Sequence, residues 1–329
     1  MRIGVVYTGG TLGMVQSERG LVPGDAIEDW LNSVAPEFGH ELVFTRFKKL
    51  LDSSNMAPHL WQKIVDHIEQ FEGVDAVVVL HGTDTLAYTS SALAFALSGT
   101  PIPIIVTGSQ LPMFQWGSDA KPNVMGALTA ATWCDPGVYV YFAGEVLKGA
   151  RVCKTSATSF KGFASPEPPL AQVGVPWRHL TQAPRAGTRC EWGRKPEPFR
   201  DFDVPVIDLV PGLKAERLEA MLSGNPDAVI LRAFGVGNGP SNNAGFMALL
   251  HKVSQAGVTV VVASQCIDAA VEFDSYETGY ALREIGAVSA ATMTTEATYA
   301  KVQFLLAQGC GRDEIEHWMR KNMVGELRE

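Results

Sequence analysis

Apolar and polar positions fall in blocks along this chain. Short continuous apolar runs stop abruptly at glycines, hydroxyls and carboxylates, and stretches with a helical repeat follow. Ile3-Gly4-Val5-Val6-Tyr7 runs into Thr8-Gly9-Gly10-Thr11-Leu12-Gly13, the pattern of a buried strand ending in a loop whose backbone can approach a ligand closely. Val74 to Leu80 ends likewise in His81-Gly82-Thr83-Asp84-Thr85, ahead of a helix through Leu86, Leu93 and Leu97. Ile104-Ile105-Val106 passes into Thr107-Gly108-Ser109-Gln110, and Val138 to Phe142 is a further strand. Ile27, Trp30, Leu31 and Val34 predict a short helix capped by Asp25, and Leu42-Val43-Phe44 the next strand. Leu60, Trp61, Ile64, Val65, Ile68 and Phe71 share one face of a helix whose first turn suits Pro58. Ser53, Ser54 and Asn55, which follow Leu50-Leu51-Asp52, are placed to cap it.

Strands alternating with helices predict an α/β protein: a larger N-terminal domain with a mostly parallel open sheet and helices on both faces, then a smaller C-terminal α/β domain. The rhythm breaks from Phe163 to Pro205, where Pro166, Pro168, Pro169, Pro176, Pro184, Pro196 and Pro198 also fall. It resumes with Val204 to Val210, a helix near Ala215 to Leu222, the strand Ala228 to Leu231, the loop Gly235-Val236-Gly237-Asn238-Gly239, the strand Val258 to Val262, and C-terminal helices. The expected division is 1–190 for the first domain, 191–204 for the linker and 205–329 for the second domain. In open sheets of this kind ligands bind at the carboxyl ends of the strands, where the polar clusters gather here.

Composition narrows the ligand. The chain has 329 residues, 46% of them apolar and 19% charged, enough for about two domains with a substantial core. A net charge of -8 lacks the basic footprint that nucleic acid or an anionic membrane requires, so a small polar substrate is expected. Cys134, Cys153, Cys190, Cys266 and Cys310 are widely spaced with no C-x-x-C pair, which indicates neither a disulfide framework nor a zinc site and suits a reducing cytosol. No signal peptide fits the N-terminus, and no apolar stretch is long enough to span a bilayer. The histidines show no metal-ligand spacing, so no metal is expected. Gly9-Gly10-Thr11-Leu12-Gly13 is neither G-x-G-x-x-G nor a phosphate loop, and Gln16 to Gly24 is too polar and broken to open a helix. No cofactor follows from it; the loop presents Thr11.

The strand ends together supply a candidate nucleophile in Thr11, a second hydroxyl in Thr83, a carboxylate in Asp84 and a base in Lys154. Plainer readings stand beside these. Asp84 could cap the following helix, Lys154 could be a solvated surface lysine, His81 is taken as structural, and Pro112, Trp116 and Trp133 as packing residues.

On these motifs the chain resembles the L-asparaginase family over nearly its whole length, in particular the cytoplasmic bacterial type I enzymes. Thr8-Gly9-Gly10-Thr11 resembles the family's first signature and His81-Gly82-Thr83-Asp84-Thr85 its second; Asp52-Ser53-Ser54 resembles the substrate loop, Lys154-Thr155 the catalytic lysine segment, and Gly235-Val236-Gly237-Asn238 the second-domain loop. The resemblance implies hydrolysis of asparagine to aspartate and ammonia. The residue at Thr11 attacks the side-chain amide, and the acyl-threonine is then hydrolysed. Thr83, Asp84 and Lys154 form the second catalytic group, in which a partly buried lysine could take a proton through the threonine hydroxyl. Asp84 also holds the substrate's α-ammonium, Ser53 its α-carboxylate, and Ser54 walls the pocket beside Gly10 and Asp52. Backbone N–H groups near Gly10 and Thr83 are the expected oxyanion donors. Family members assemble as dimers of close pairs, which implies a homodimer or homotetramer.

Two readings compete. An amidotransferase subunit releasing ammonia for glutamyl-tRNA would carry a tRNA-binding surface or an extra N-terminal domain, whereas this chain starts directly at its catalytic loop. A silent asparagine-binding sensor would keep Asp84 and Ser53 without turnover, and Thr11, Thr83 and Lys154 together argue against it. Two departures from the family pattern matter. Arg232 to Asn238 and Gln265-Cys266 resemble an effector pocket for asparagine, yet Cys153 stands where a threonine is expected before the lysine. In the bacterial pattern a tyrosine of the loop after the first signature helps activate the nucleophile; Leu21 occupies its place. Tyr7, on the strand itself, and Tyr88, on a helix, are poor substitutes. Tyr276, in Glu272 to Gly279, lies in the segment that relatives fold toward an active site, and is expected to supply the missing hydroxyl.

Overall fold

Strands buried on both faces need apolar side chains at every position, and the first apolar run forms such a strand, β1 (Arg2–Gly9), inside the larger sheet. The computed structural model describes residues 1–18, 20–24, 27–179, 192–193 and 195–328. After β1 come β2 (Met14–Ser17), β3 (Gly20–Pro23), α1 (Ile27–Phe38), β4 (Glu41–Leu51), α2 (Pro58–Glu69) and β5 (Ala76–Leu80). Next are α3 (Leu86–Ala96), β6 (Pro103–Thr107), α4 (Ala120–Ala131), β7 (Gly137–Phe142) and β8 (Glu145–Lys148). The short strands β9 (Cys153–Lys154), β10 (Phe163–Ala164), β11 (Ala171–Gln172) and β12 (Arg178–His179) follow.

Among the described residues the larger sheet runs β12-β11-β8-β7-β6-β5-β1-β4. The strands from β7 to β4 pair in parallel, and β8, β11 and β12 add an antiparallel edge. Parallel register brings the carboxyl ends of β4, β1, β5 and β6 to one side, with Gly9 opposite Leu51, Tyr7 opposite Leu80, and Leu80 opposite Thr107. Alternate side chains then build two cores. Ile3, Val5 and Tyr7 of β1 face Ile27 and Leu31 of α1 and the buried side of α4. Val6, with Val77 and Val79 of β5, faces Ile64, Val65 and Ile68 of α2 and Leu86 and Leu93 of α3. Helices therefore cover both faces, as the sequence predicts.

The second sheet is built from β13 (Val206–Asp208), α5 (Ala215–Met221), β14 (Ala228–Ala233), α6 (Ala244–Gln255), β15 (Thr259–Ser264), α7 (Glu277–Glu284) and β16 (Val288–Ser289). Its strands pair in parallel in the order β13-β14-β15-β16. The helices α8 (Thr295–Ala307) and α9 (Arg312–Met319) complete it. Two compact units result: Met1–Arg194 with Met323–Gly325, and Lys195–Asn322 with Glu326–Glu329.

Several local expectations are corrected. Met14–Ser17 and Gly20–Pro23, where no element was expected, pair as the antiparallel strands β2 and β3, with Ser17 opposite Gly20. The strand expected at 42–44 extends across Glu41–Leu51, because β4 is an edge strand that carries Arg46, Lys48 and Lys49. Ser53, Ser54 and Asn55 do not cap α2. They form their own 3-10 turn, and α2 starts after Ala57 with Pro58 in its first turn and no side-chain cap. The expected cap Asp25 and the thiol Cys190 lie outside the described residues. Cys134, Cys153, Cys266 and Cys310 carry thiols rather than disulfides, and burial, with Asp135 nearby, pushes the Cys134 thiol up to about 12. Among the described residues no helix is long and apolar enough to cross a membrane, and no cluster of metal-ligating side chains occurs.

In the second unit, α8 buries Lys301 completely, and Nζ donates to Lys321 O at 2.7 Å and to the equally buried Glu326. Glu326→Ala removes a buried carboxylate from that cation. Chemical denaturation should show a loss of about 3–5 kcal/mol, and a loss under about 1 kcal/mol would refute this account of the pair.

Candidate active site

The loops that follow β1, β4 and β5 press together backbone to backbone. Gly10 has a φ of +89°, a conformation open to glycine, and donates its N–H to Leu51 O at 2.9 Å. A Cβ added at Gly10 would lie 2.4 Å from the Cα and N of Gly82, and one at Gly82 would lie 2.5 Å from the Ser53 Oγ. No side chain fits at either position, so Thr11, Ser53 and Thr83 flank one small region. Thr11 opens a 3-10 turn (Thr11–Gly13) and is half-buried. The Gly10 amide itself is committed to Leu51 O, so an oxyanion donor near Gly10 has to come from a neighbouring N–H.

Asp52 caps the next turn by accepting the Ser54 N–H at 2.9 Å. That turn buries Ser53 to 3% exposure and leaves Ser54 exposed. Thr85 Oγ1 donates to Ser53 O at 2.8 Å, tying the β4 loop to the β5 loop.

Thr83, Asp84 and Lys154 meet directly. Lys154 Nζ donates to Thr83 Oγ1 at 2.9 Å and to Asp84 Oδ1 at 2.6 Å. The Lys154 side chain is 19% exposed and Thr83 is buried, so Lys154 is no solvated surface lysine. Asp84 does not cap α3 either, since Thr85 holds that position without a side-chain cap. Its carboxylate is 59% exposed and open to a cationic ligand. Lys154 reaches Thr83 from β9, which pairs antiparallel with β10, and Phe163 of β10 stacks edge-on against Phe142 at 4.8 Å.

His81 is structural, as expected. Its Nδ1 lies 2.7 Å from Gly82 O and its Nε2 3.0 Å from Thr89 Oγ1. A carbonyl only accepts, so Nδ1 carries the proton and Nε2 accepts from the threonine hydroxyl. Complete burial pushes the imidazole down to about 4, against a smaller upward pull from Gly82 O. The neutral ring thereby fixes the turn that presents Thr83.

The remaining candidates sort plainly. Pro112 is buried, and Trp133 packs edge-on against Trp177 and His179 at 5.4 and 4.7 Å, whereas Trp116 is 99% exposed and is no core packing residue. Tyr7 donates to Gly24 O at 2.9 Å, which commits its hydroxyl to the base of the β2–β3 hairpin. Tyr276, in the second unit, is the N-cap residue of α7 and 59% exposed. In that unit Gln265 Nε2 donates to Leu209 O and Arg232 O at 2.7 and 2.8 Å, so the two segments compared with an effector pocket adjoin each other.

Residues 2–185 match the family described as asparaginase, N-terminal, and residues 203–319 match the glutaminase/asparaginase C-terminal domain. The chain belongs to the asparaginase family. It is 37% identical to L-asparaginase 1 of Escherichia coli K12, an alignment covering 98% of this chain and 97% of that protein. Among solved structures, L-asparaginase I of Vibrio cholerae superposes with a TM-score of 0.90 at 35% identity, covering 100% of this chain and 99% of that one. The thermostable L-asparaginase of Thermococcus kodakarensis gives 0.88 at 32% identity, with 100% of both chains covered.

Within this asparaginase fold, sequence reasoning left unassigned the side chains that hold the β9–β10 turn. Gln110 is one, and its place at the end of the β6 run was the available signal. Lys161 is another, paired with the buried Glu145 at 2.7 Å.

His81 sets a pH dependence. Its folded value is depressed from about 6.5, so its contribution to stability is complete above that value and is lost as pH falls toward about 4, since the unfolded chain takes up the proton first. The loss should approach about 3 kcal/mol. Urea unfolding of the parent and His81→Gln at pH 7 and pH 4.5 checks it: the variant's stability should fall less steeply, and equal slopes would contradict the assignment.

Proposed function

We propose that this L-asparagine amidohydrolase works through an acyl-threonine formed on Thr11. The Thr11 hydroxyl attacks the side-chain carbonyl of asparagine, the C–N bond breaks and ammonia leaves with a proton. Water then hydrolyses the ester and releases aspartate. The observation that carries the reading is the Lys154 Nζ contact with the buried Thr83 hydroxyl and with Asp84, beside the glycine turn that ends in Thr11. A lysine in its neutral form can take a proton through that hydroxyl, and in its charged form returns it.

The other assignments follow the chemistry of each group. The exposed Asp84 carboxylate binds the α-ammonium, and the Ser53 hydroxyl binds the α-carboxylate. Ser54 walls the pocket, Asp52 holds the turn that carries both serines, and Gly10 lets the substrate approach the backbone. Tyr276 supplies the phenol that Leu21 lacks. The domain of residues 1–190 carries the catalytic set, 191–204 is the linker and 205–329 is the second domain. The enzyme is cytoplasmic, which its thiols suit, acts without cofactor or metal, and assembles as a homodimer or homotetramer.

Ammonia release from asparagine tests the nucleophile. Thr11→Val is nearly isosteric and should keep the fold while losing turnover by at least about 10²-fold, and Lys154→Met should lose a comparable factor. Near-parental release from either variant removes that residue from the mechanism.

The tyrosine assignment has a separate test. Tyr276→Phe should lower kcat by about 10²-fold, and adding Leu21→Tyr should restore part of it. A Tyr276→Phe enzyme within a few fold of the parent rules out the phenol.

A further inference from the structure

Lys154 stands on a strand only two residues long, and a ladder that short cannot hold a side chain to the tolerance that proton transfer requires. The turn joining β9 to β10 is therefore the segment to fix. It closes on itself through Thr155 N and Ser156 N, which donate to Gly162 O at 2.8 and 3.2 Å, and through Ser156 Oγ, which accepts from Thr158 N and Ser159 N. Two of its carbonyls, those of Ser156 and Ser159, have a side-chain partner. Both are taken by one group: Gln110 Nε2 donates to Ser156 O at 3.0 Å and to Ser159 O at 2.9 Å. Because both partners are acceptors, only the nitrogen end of the carboxamide can face them. The carboxamide fills the turn, since a Cβ at Gly162 would lie 2.5 Å from Nε2.

Gln110 is itself anchored. Its N–H donates to both carboxylate oxygens of Asp119 at 3.1 and 3.0 Å, and Leu111 N donates to the same group at 3.0 Å. Asp119, 8% exposed, also accepts from Asn123 Nδ2, which in turn donates to Gly108 O at 2.9 Å. A continuous hydrogen-bonded chain thus runs from the end of β6 into the turn next to Lys154.

We propose that Gln110 is a positioning residue for Lys154, its carboxamide holding the β9–β10 turn so that Nζ stays on the Thr83 hydroxyl. The inference rests on the acyl-threonine reading of this site. Gln110 touches neither substrate nor reacting atoms in that scheme; it acts through the lysine. Removing it should therefore lower kcat while the groups that bind the α-ammonium and α-carboxylate keep KM.

Hydrogen exchange and steady-state ammonia release, measured on the parent, Lys154→Met, Gln110→Ala and Gln110→Glu, test this. In Gln110→Ala the backbone amides of residues 155–162 should exchange about tenfold faster or more, while those of β5 are unchanged. The kcat for asparagine should fall about 10–100-fold, with KM within about threefold. Gln110→Glu keeps the shape and covers the case in which the alanine variant fails to fold. As a carboxylate it repels both carbonyls, and as a carboxylic acid it donates to one of them. Its kcat relative to the parent should rise about fivefold or more as pH falls from 7.5 to 5. Unchanged exchange in the turn overturns the clamp whatever the kinetics show. Faster exchange with kcat within about twofold of the parent, or a pH-independent Gln110→Glu ratio, overturns the positioning role. A parent that releases no ammonia, or a fully active Lys154→Met, overturns the reading of the site and the inference with it, while the exchange data still report separately on the clamp.

Discussion

Everything at the candidate site depends on how closely two backbone turns approach at the carboxyl ends of neighbouring parallel strands. β1 and β5 run side by side, and their following turns meet at Gly10 and Gly82, where even a methyl group would overlap backbone or the Ser53 hydroxyl. Such overlap is relieved only by moving one turn, and displacements of this size at a reacting centre cost orders of magnitude in rate. The sheet supplies the alignment, and the glycines remove what would hold the turns apart. Thr11, Ser53 and Thr83 become neighbours although they lie far apart in the chain.

On that frame the polar groups are held by partial burial. Lys154 divides its ammonium between a buried hydroxyl and a half-exposed carboxylate, at 2.9 and 2.6 Å. With the Asp84 carboxylate open to solvent this ion pair contributes little to stability, about 1 kcal/mol, so its geometry is better explained by the hydroxyl it reaches than by the fold it supports. The neutral His81 behind the same turn uses both ring nitrogens within the chain, on Gly82 O and Thr89 Oγ1, while the Thr83 hydroxyl accepts from Lys154. Gln110 and Asp119 do the corresponding work for the turn beside the lysine.

The parts of the fold that could be read from sequence are those where burial leaves one solution. The continuous apolar runs of β1, β5, β6, β7, β14 and β15 could only be central strands, and the stripe of α2 could only be a helix lying on them. β4 was underestimated because an edge strand tolerates charge on its open side, which erases the apolar run after Phe44. α4 gave no periodic signal because Ala120, Asn123, Val124, Gly126, Ala127, Leu128, Ala130 and Ala131 are all buried, leaving only a narrow polar face. The hairpin of β2 and β3 has short strands and mixed burial, so polarity hid its register. At the site, the strand-end residues were legible as chemistry, but the pairing of Lys154 with Thr83 across 71 positions is a product of topology that no local pattern encodes.

The central claim is that Thr11 carries the acyl group while Thr83 and Lys154 serve the proton. Rapid mixing of the enzyme with asparagine, an acid quench within the first turnovers and mass spectrometry of the resulting peptides test it most directly. The account predicts an aspartyl ester on the N-terminal peptide, fragmenting to Thr11, formed together with the first equivalent of ammonia. An ester found on Thr83, or a burst of ammonia with no ester on either threonine, would contradict it.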